Sequence, residues 1–166
     1  MDLDKILKLG DPRLYNVSET VSPEESGEVA QKARIMSELI LSFREKYGVG
    51  RAIAAPQIGW FKRVIVLHIQ DPVVLINPVL YDKSEEMFTL WDDCMSFPDL
   101  FVQVRRHKSC RIRFSDQDWN EQEWLLEGDM SELLQHEYDH LDGILATQRA
   151  IDQKSFALKS EIDKYS

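Results

Sequence analysis

Residues 136–140 read His136-Glu137-Tyr138-Asp139-His140, an H-E-x-x-H pattern inside a stretch that predicts a helix. Residues four apart lie on one helix face, one turn above the other. His136 and His140 therefore aim two imidazoles at one point, and Glu137 projects from the same turn. Two nitrogen ligands beside a carboxylate make the helix geometry of a hydrolytic metal site, with the carboxylate as general base. The bland alternative is a pair of histidines on the wet face of an ordinary amphipathic helix.

A catalytic ion of this kind takes three protein ligands and leaves one position for water. A third histidine six residues after the second is one known solution, but that position is Ala146, although Gly143 fits the same pattern. A downstream glutamate is another. Glu161 is the available one, and it lies in a mixed-charge segment, 159–164, that reads as a solvated helix face. Cys94 remains, in Trp91-Asp92-Asp93-Cys94-Met95-Ser96-Phe97-Pro98. A thiolate binds zinc or ferrous iron strongly, yet taken alone a free cysteine reads as a small buried core residue. Cys110 keeps that second reading, because no motif surrounds it. His68 and His107 read as ordinary strand or surface residues.

The elements that must carry these residues follow from periodicity and turn chemistry. An extended piece is expected at 6–9, then a turn at Gly10-Asp11-Pro12. Residues 23–47 predict a long helix, capped by Ser22 with Pro23 in the first position. Val29, Ala33, Met36, Ile40, Phe43 and Tyr47 form its core-facing stripe, and Gly48 ends it. Strands are expected at 63–69, at 73–76 closed by Asn77-Pro78, and at 87–90, 102–104, 111–114 and 122–126. Gly128 precedes the helix with the two histidines, and Gly143 ends it. A short last helix is expected over 153–165. The pattern is α+β: mostly antiparallel sheets around a central H-E-x-x-H helix, with an N-terminal helix.

The chain is 166 residues with no repeat or linker, so one domain over 1–166 is expected. The formal charge of −9 argues against nonspecific nucleic-acid binding, which needs a basic face. No apolar run approaches a membrane span, and Met1-Asp2-Leu3-Asp4-Lys5 lacks the pattern of a signal peptide. A cytoplasmic monomer is the expectation. There a disulfide between Cys94 and Cys110 is not expected.

Three segments together resemble the peptide deformylase family. Its G-x-G-x-A-A-x-Q motif is matched by Gly50-Arg51-Ala52-Ile53-Ala54-Ala55-Pro56-Gln57, with Ala52 at the second glycine. Its E-G-C-x-S motif reads here as Asp92-Asp93-Cys94-Met95-Ser96. Its Q-H-E-x-D-H motif is intact from Gln135 to His140. Gly10-Asp11-Pro12, Gln57-Ile58-Gly59, Asn77-Pro78 and Val104-Arg105 extend the likeness along nearly the whole chain. The resemblance implies a metal held by Cys94, His136 and His140. The expected ion is Fe²⁺, with Zn²⁺, Ni²⁺ or Co²⁺ as substitutes. The implied reaction is hydrolysis of the formyl group from N-formylmethionyl peptides of nascent chains. Glu137 would move the proton, and the Gln57 amide and the Met95 backbone N–H would donate to the formyl oxygen. The peptide would lie along a sheet edge. Gly50, Arg51, Ala52, Asp129, Glu132 and Leu133 would line the substrate pocket.

Some positions depart from the family pattern. Asp93 replaces a glycine beside the cysteine, where a positive φ is expected. Asp92 shortens the usual glutamate. Arg51, Asp129 and Glu132 bring charge to a pocket that usually holds a methionine side chain. These departures point to a divergent member with altered preference. Two alternatives follow: a deformylase-like hydrolase of a different N-acyl peptide, and an inactive metal-bearing homologue that binds peptide termini. Binding alone would not need Glu137.

Overall fold

A computed structural model describes residues 1–165 of the chain. The long N-terminal helix begins where its capping residues place it. Glu25 Oε1 accepts the Ser22 N–H at 3.0 Å, and a single 3₁₀ turn, Pro23–Glu25, leads into α1, Ser26–Tyr47. Gly48 closes it in the left-handed conformation, φ 76°, donating to the Arg44 carbonyl.

The described residues form eight strands: β1, Ala52–Ala54; β2, Val64–His68; β3, Pro72–Tyr81; β4, Met87–Cys94; β5, Phe97–His107; β6, Ser109–Ser115; β7, Glu121–Glu127; and, late in the chain, β8, Phe156–Leu158. Between β7 and β8 lies α2, Asp129–Leu141; α3, Lys159–Ile162, follows β8. An antiparallel five-stranded sheet has the order β1-β2-β3-β6-β7, and an antiparallel three-stranded sheet the order β4-β5-β8. The architecture is the expected α+β one.

β2 explains the layering. Its residues are almost all apolar because both faces of the sheet are covered. Val64 and Val66 join Met36, Leu39 and Ile40 of α1 in one core. Ile65 and Leu67 join Leu133, Leu134 and Leu141 of α2 in another. Full burial of each such side chain contributes roughly 1.5–3 kcal/mol, so packing against β2 anchors α2 to the sheet. The end of β4 and β5 covers another side of α2, where Cys94 packs with Phe97, Val102, Val104 and Ala146. Ala146 is thus a core residue near the cysteine.

Several boundaries differ from expectation. β3 does not end at Asn77-Pro78 but passes through it with a register shift between Ile76 and Val79. Asn77 takes φ 50° and bonds both ways to the Val21 backbone, so side-chain hydrogen bonds hold the irregularity in place. β4 and β5 run longer than their apolar cores, because the hairpin ladder continues through the polar residues up to the turn at Met95 and Ser96. Residues 6–9 form no strand; Leu7 N–H donates to the Gln57 carbonyl at 2.7 Å and Leu9 N–H to the Ser96 carbonyl at 2.9 Å. The last helix expected over 153–165 is replaced by β8 and the four-residue α3. The free edge of β5 offers Leu100 and Val102 as partners for Leu158 and Phe156. That pairing outweighs helix propensity in a segment with no apolar stripe to bury.

Gly143 follows the end of α2 at φ 71°, as the sequence suggested. A Cβ there would lie 2.3 Å from the Tyr15 carbonyl oxygen, which belongs to the backbone and cannot step aside. Gly143→Ala is expected to cost about 3 kcal/mol through overlap and positive φ. That lowers Tm by roughly 6–12 °C in a chain of this size. A melt within 2 °C of the parent protein would show that the two segments separate easily.

Candidate active site

The central helix delivers the two histidines as its spacing requires. Both rings are buried, and their Nε2 atoms lie 3.3 Å apart. Cys94 Sγ, from the end of β4, comes within 3.3 Å of His140 Nε2. The three donor atoms all fall within 4.8 Å of one another. One soft sulfur and two imidazole nitrogens, converging without a protein cation between them, form a donor set suited to a divalent transition metal. The residues present fit a metal ion. Neither Ala146 nor Glu161 serves as a third ligand: Ala146 packs beside Cys94 but has no donor atom, and Glu161 bonds Lys164 at the surface.

Asp92 orients the cluster. Its Oδ2 accepts from His136 Nδ1 at 2.9 Å, which leaves Nε2 facing Cys94 and His140. The same oxygen accepts from Arg106 Nη2 at 3.0 Å. Arg106 Nη1 donates to Asp139 at 2.8 Å, and Arg149 closes the chain on Asp139 at 3.2 Å. Burial alone would raise the Asp92 carboxyl. The His136 ring and the Arg106 guanidinium outweigh burial and hold it below the usual range. Burial pulls His136 down, yet the Asp92 and Cys94 charges beside it raise its pKa well above the ordinary value. His140 is lowered well below it by burial and by its neighbour His136, and its Nδ1 has no hydrogen-bond partner. The sequence reading missed Arg106 and Arg149. The signal was present for Arg106: in β5 it follows buried Val102 and Val104 at strand period two, so it must point inward.

Glu137 is buried beside the cluster, with Oε1 4.0 Å from His136 Nε2 and Oε2 without a partner. Burial pushes its pKa up to about 7, against the pull of His136. Gln57 reaches the same space from the short 3₁₀ turn after β1. Its Oε1 accepts the Ala54 N–H at 2.9 Å, which fixes the amide so that Nε2 points inward, 3.4 Å from Cys94 Sγ and 3.1 Å from Ser96 Oγ. Met95 lies in the turn next to Cys94.

A cavity of about 370 Å³ opens onto Cys94, Met95, His136 and Glu137. Gly50, Arg51 and Ala52 line it from the β1 edge, and Asp129, Glu132 and Leu133 from α2. All six of these residues thus line one cavity. Asp93 also faces it. Gly50 takes φ 139°, and a Cβ on it would press on Phe43 at 3.3 Å; Arg44 holds its carbonyl with Nε at 3.0 Å and Nη2 at 2.8 Å. Asp93 needs no glycine-like angle. It falls where the β4–β5 register shifts between Asp92 and Cys94, and it is not among the residues with positive φ. Burial and the neighbouring Asp92 raise its pKa. Arg51 Nη2 bonds Glu132 Oε1 at 2.8 Å across the cavity wall; burial raises the Glu132 pKa against the opposing pull of Arg51.

The remaining candidates are structural. Cys94 and Cys110 are both free and buried. Burial raises the Cys110 thiol, and it sits against Ser131. His68 bonds Ser37, and His107 bonds the Ser84 carbonyl.

Residues 3–156 match the sequence profile described as Polypeptide deformylase. The chain belongs to that family. A peptide deformylase of Leptospira biflexa is 31% identical, over 98% of this chain and 96% of its own. The crystal structure of a peptide deformylase from Thermotoga maritima superposes with a TM-score of 0.81 at 29% identity, covering 89% of this chain and 97% of its own. A peptide deformylase from Acinetobacter baumannii, solved with Met-Ala-Ser bound, gives 0.79 at 30% identity, covering 87% and 96%. The deformylase fold and the Cys-His-His cluster thus occur in one chain. Among the described residues, no helix is long and apolar enough to cross a membrane.

Proposed function

We propose that this deformylase-family chain hydrolyses the N-formyl group of formyl-methionyl peptides on nascent proteins and releases formate. The convergence of Cys94, His136 and His140, with an unpartnered Glu137 carboxyl beside them, carries that reading. A divalent ion, Fe²⁺ first and Zn²⁺, Ni²⁺ or Co²⁺ as substitutes, would supply Lewis acidity and acidify water there. Cys94, His136 and His140 would hold it, with Asp92 keeping His136 in the right tautomer.

The other steps belong to the chain's own groups. The Gln57 Nε2–H and the Met95 backbone N–H meet the formyl oxygen as it gains charge, a donor arrangement set before substrate arrives. Glu137 accepts the attacking water's proton at Oε2 and delivers it to the departing amine nitrogen. A carboxyl poised near pH 7 can do both. Among the described residues, β1 is an edge strand with no second strand partner, so an extended peptide can add beside it as a further strand. The cavity between that edge and α2 receives the first side chain. That A. baumannii structure holds a tripeptide of the product class, which supports the peptide reading. We read residues 1–166 as one catalytic domain, acting as a monomer in the cytoplasm with no nucleic-acid ligand. The net charge of −9 favours the last point.

Protein purified anaerobically with Fe²⁺ is expected to release formate from formyl-Met-Ala-Ser, to lose that activity to a chelator, and to regain it with added Fe²⁺. Air should inactivate it, because thiolate and ferrous iron both oxidise. No formate with any of the four ions would sink the proposal.

A further inference from the structure

The cavity beside Glu137 is lined by two unlike sets of side chains. Phe43, Val49, Ala52 and Leu133 offer carbon. The Arg51–Glu132 pair lines the same cavity, joining residues 81 apart in sequence, with Glu132 10% and Arg51 42% exposed at their side chains. The described contacts engage only Nη2 of the guanidinium and Oε1 of the carboxylate with one another. The other guanidinium N–H groups and the second carboxylate oxygen remain available to a ligand. An apolar side chain pressed on this pair would strip water from both charges and return no hydrogen bond.

We propose that the Arg51–Glu132 pair sets the side-chain preference of the cavity, ranking a first residue that ends in a carboxamide above methionine. This rests on the reading of the cavity as the pocket of a formyl-peptide hydrolase. Glutamine and methionine share the two methylenes that the apolar lining takes. They differ at the tip. A carboxamide oxygen accepts from Arg51 while its NH₂ donates to Glu132, so both charges keep their hydrogen bonds. A thioether does neither. Formyl-methionyl peptides remain substrates through the shared stem, at lower rank. Asp129 and Asp93, which also line the cavity, add acceptors and no donor, so they do not favour methionine.

The test compares formyl-Gln-Ala-Ser with formyl-Met-Ala-Ser on the iron-loaded protein. The glutamine peptide should lead by about tenfold in kcat/KM, with the difference in KM. In the double variant Arg51→Leu, Glu132→Leu the order should reverse by a similar factor. Calorimetry of Gln-Ala-Ser and Met-Ala-Ser on the unaltered protein gives the same ranking without a variant. Methionine equal or ahead in kcat/KM and in calorimetry, with a ratio unmoved in the double variant, would overturn this inference and leave deformylation standing. No formate from either peptide would overturn deformylation, and the ranking with it.

Discussion

Glu137→Ala is expected to lower kcat on formyl-Met-Ala-Ser by about 10³-fold, within the range that a positioned acid–base group contributes. Metal content should not change, because Glu137 is not one of the three converging donors. The pH profile carries the same assignment. The carboxyl must be ionised to accept a proton, and its pKa is raised to about 7 by burial. Activity should therefore rise with pH through about 7, and fall on the acid side as the group protonates. Stability moves the opposite way. The folded pKa lies above the ordinary value of 4.5, so the native protein retains a proton that the unfolded chain releases. Glu137 thus costs stability progressively as pH rises from about 4.5 to about 7. Glu137→Gln should melt higher than the parent at pH 8, and by a smaller margin at pH 5. A variant that keeps more than a tenth of the activity would remove Glu137 from the mechanism.

Arg106→Leu should be the most damaging substitution away from the donors. Arg106 is 3% exposed and neutralises Asp92 and Asp139 together. Removing it leaves Asp92 buried with only His136, while Asp139 keeps Arg149. Breaking a buried ion pair from one side costs about 3–5 kcal/mol, which is roughly 6–20 °C in Tm at this chain length. His136 would lose its fixed partner as Asp92 shifts, and metal affinity should fall about 10- to 100-fold. Thermal melts and a metal titration check both effects. Arg106→Lys should rescue only part, because a single ammonium nitrogen does not reproduce the two separate guanidinium nitrogens that reach Asp139 and Asp92. A melting temperature and metal affinity both within error of the parent would show that Asp92 orients His136 unaided.

The parts of this molecule legible in the sequence were those set by local periodicity. His136, Glu137 and His140 share a helix, so spacing alone placed them. α1 and β2 announced themselves by continuous or periodic apolar residues. Cys94 was different. Its local pattern reads as core, and it does pack in a core; only the motif order along the chain pointed to the site, and only the fold brings it to His140. The Asp92–Arg106–Asp139–Arg149 chain joins β4, β5, α2 and the segment after it, and no one segment carries it. β8 was missed for a related reason: a three-residue strand exists because β5 offers an edge, not because its own residues demand one. Asp93 had been read against a glycine, and the bulge between Asp92 and Cys94 removes the need for one.

The amino-terminal strap bears on how the protein is made. Leu7 is held by Gln57, Leu9 by Ser96, and the Tyr15 carbonyl crowds Gly143. Residues 7–15 therefore have no seat until the segments around Gln57, Ser96 and Gly143 are in place. Contacts of such wide sequence separation carry a large loop-closure entropy and slow the final step of folding. The three donors sit 46 or fewer residues apart on two of these segments, so a chain broken off before His140 does not possess the full cluster.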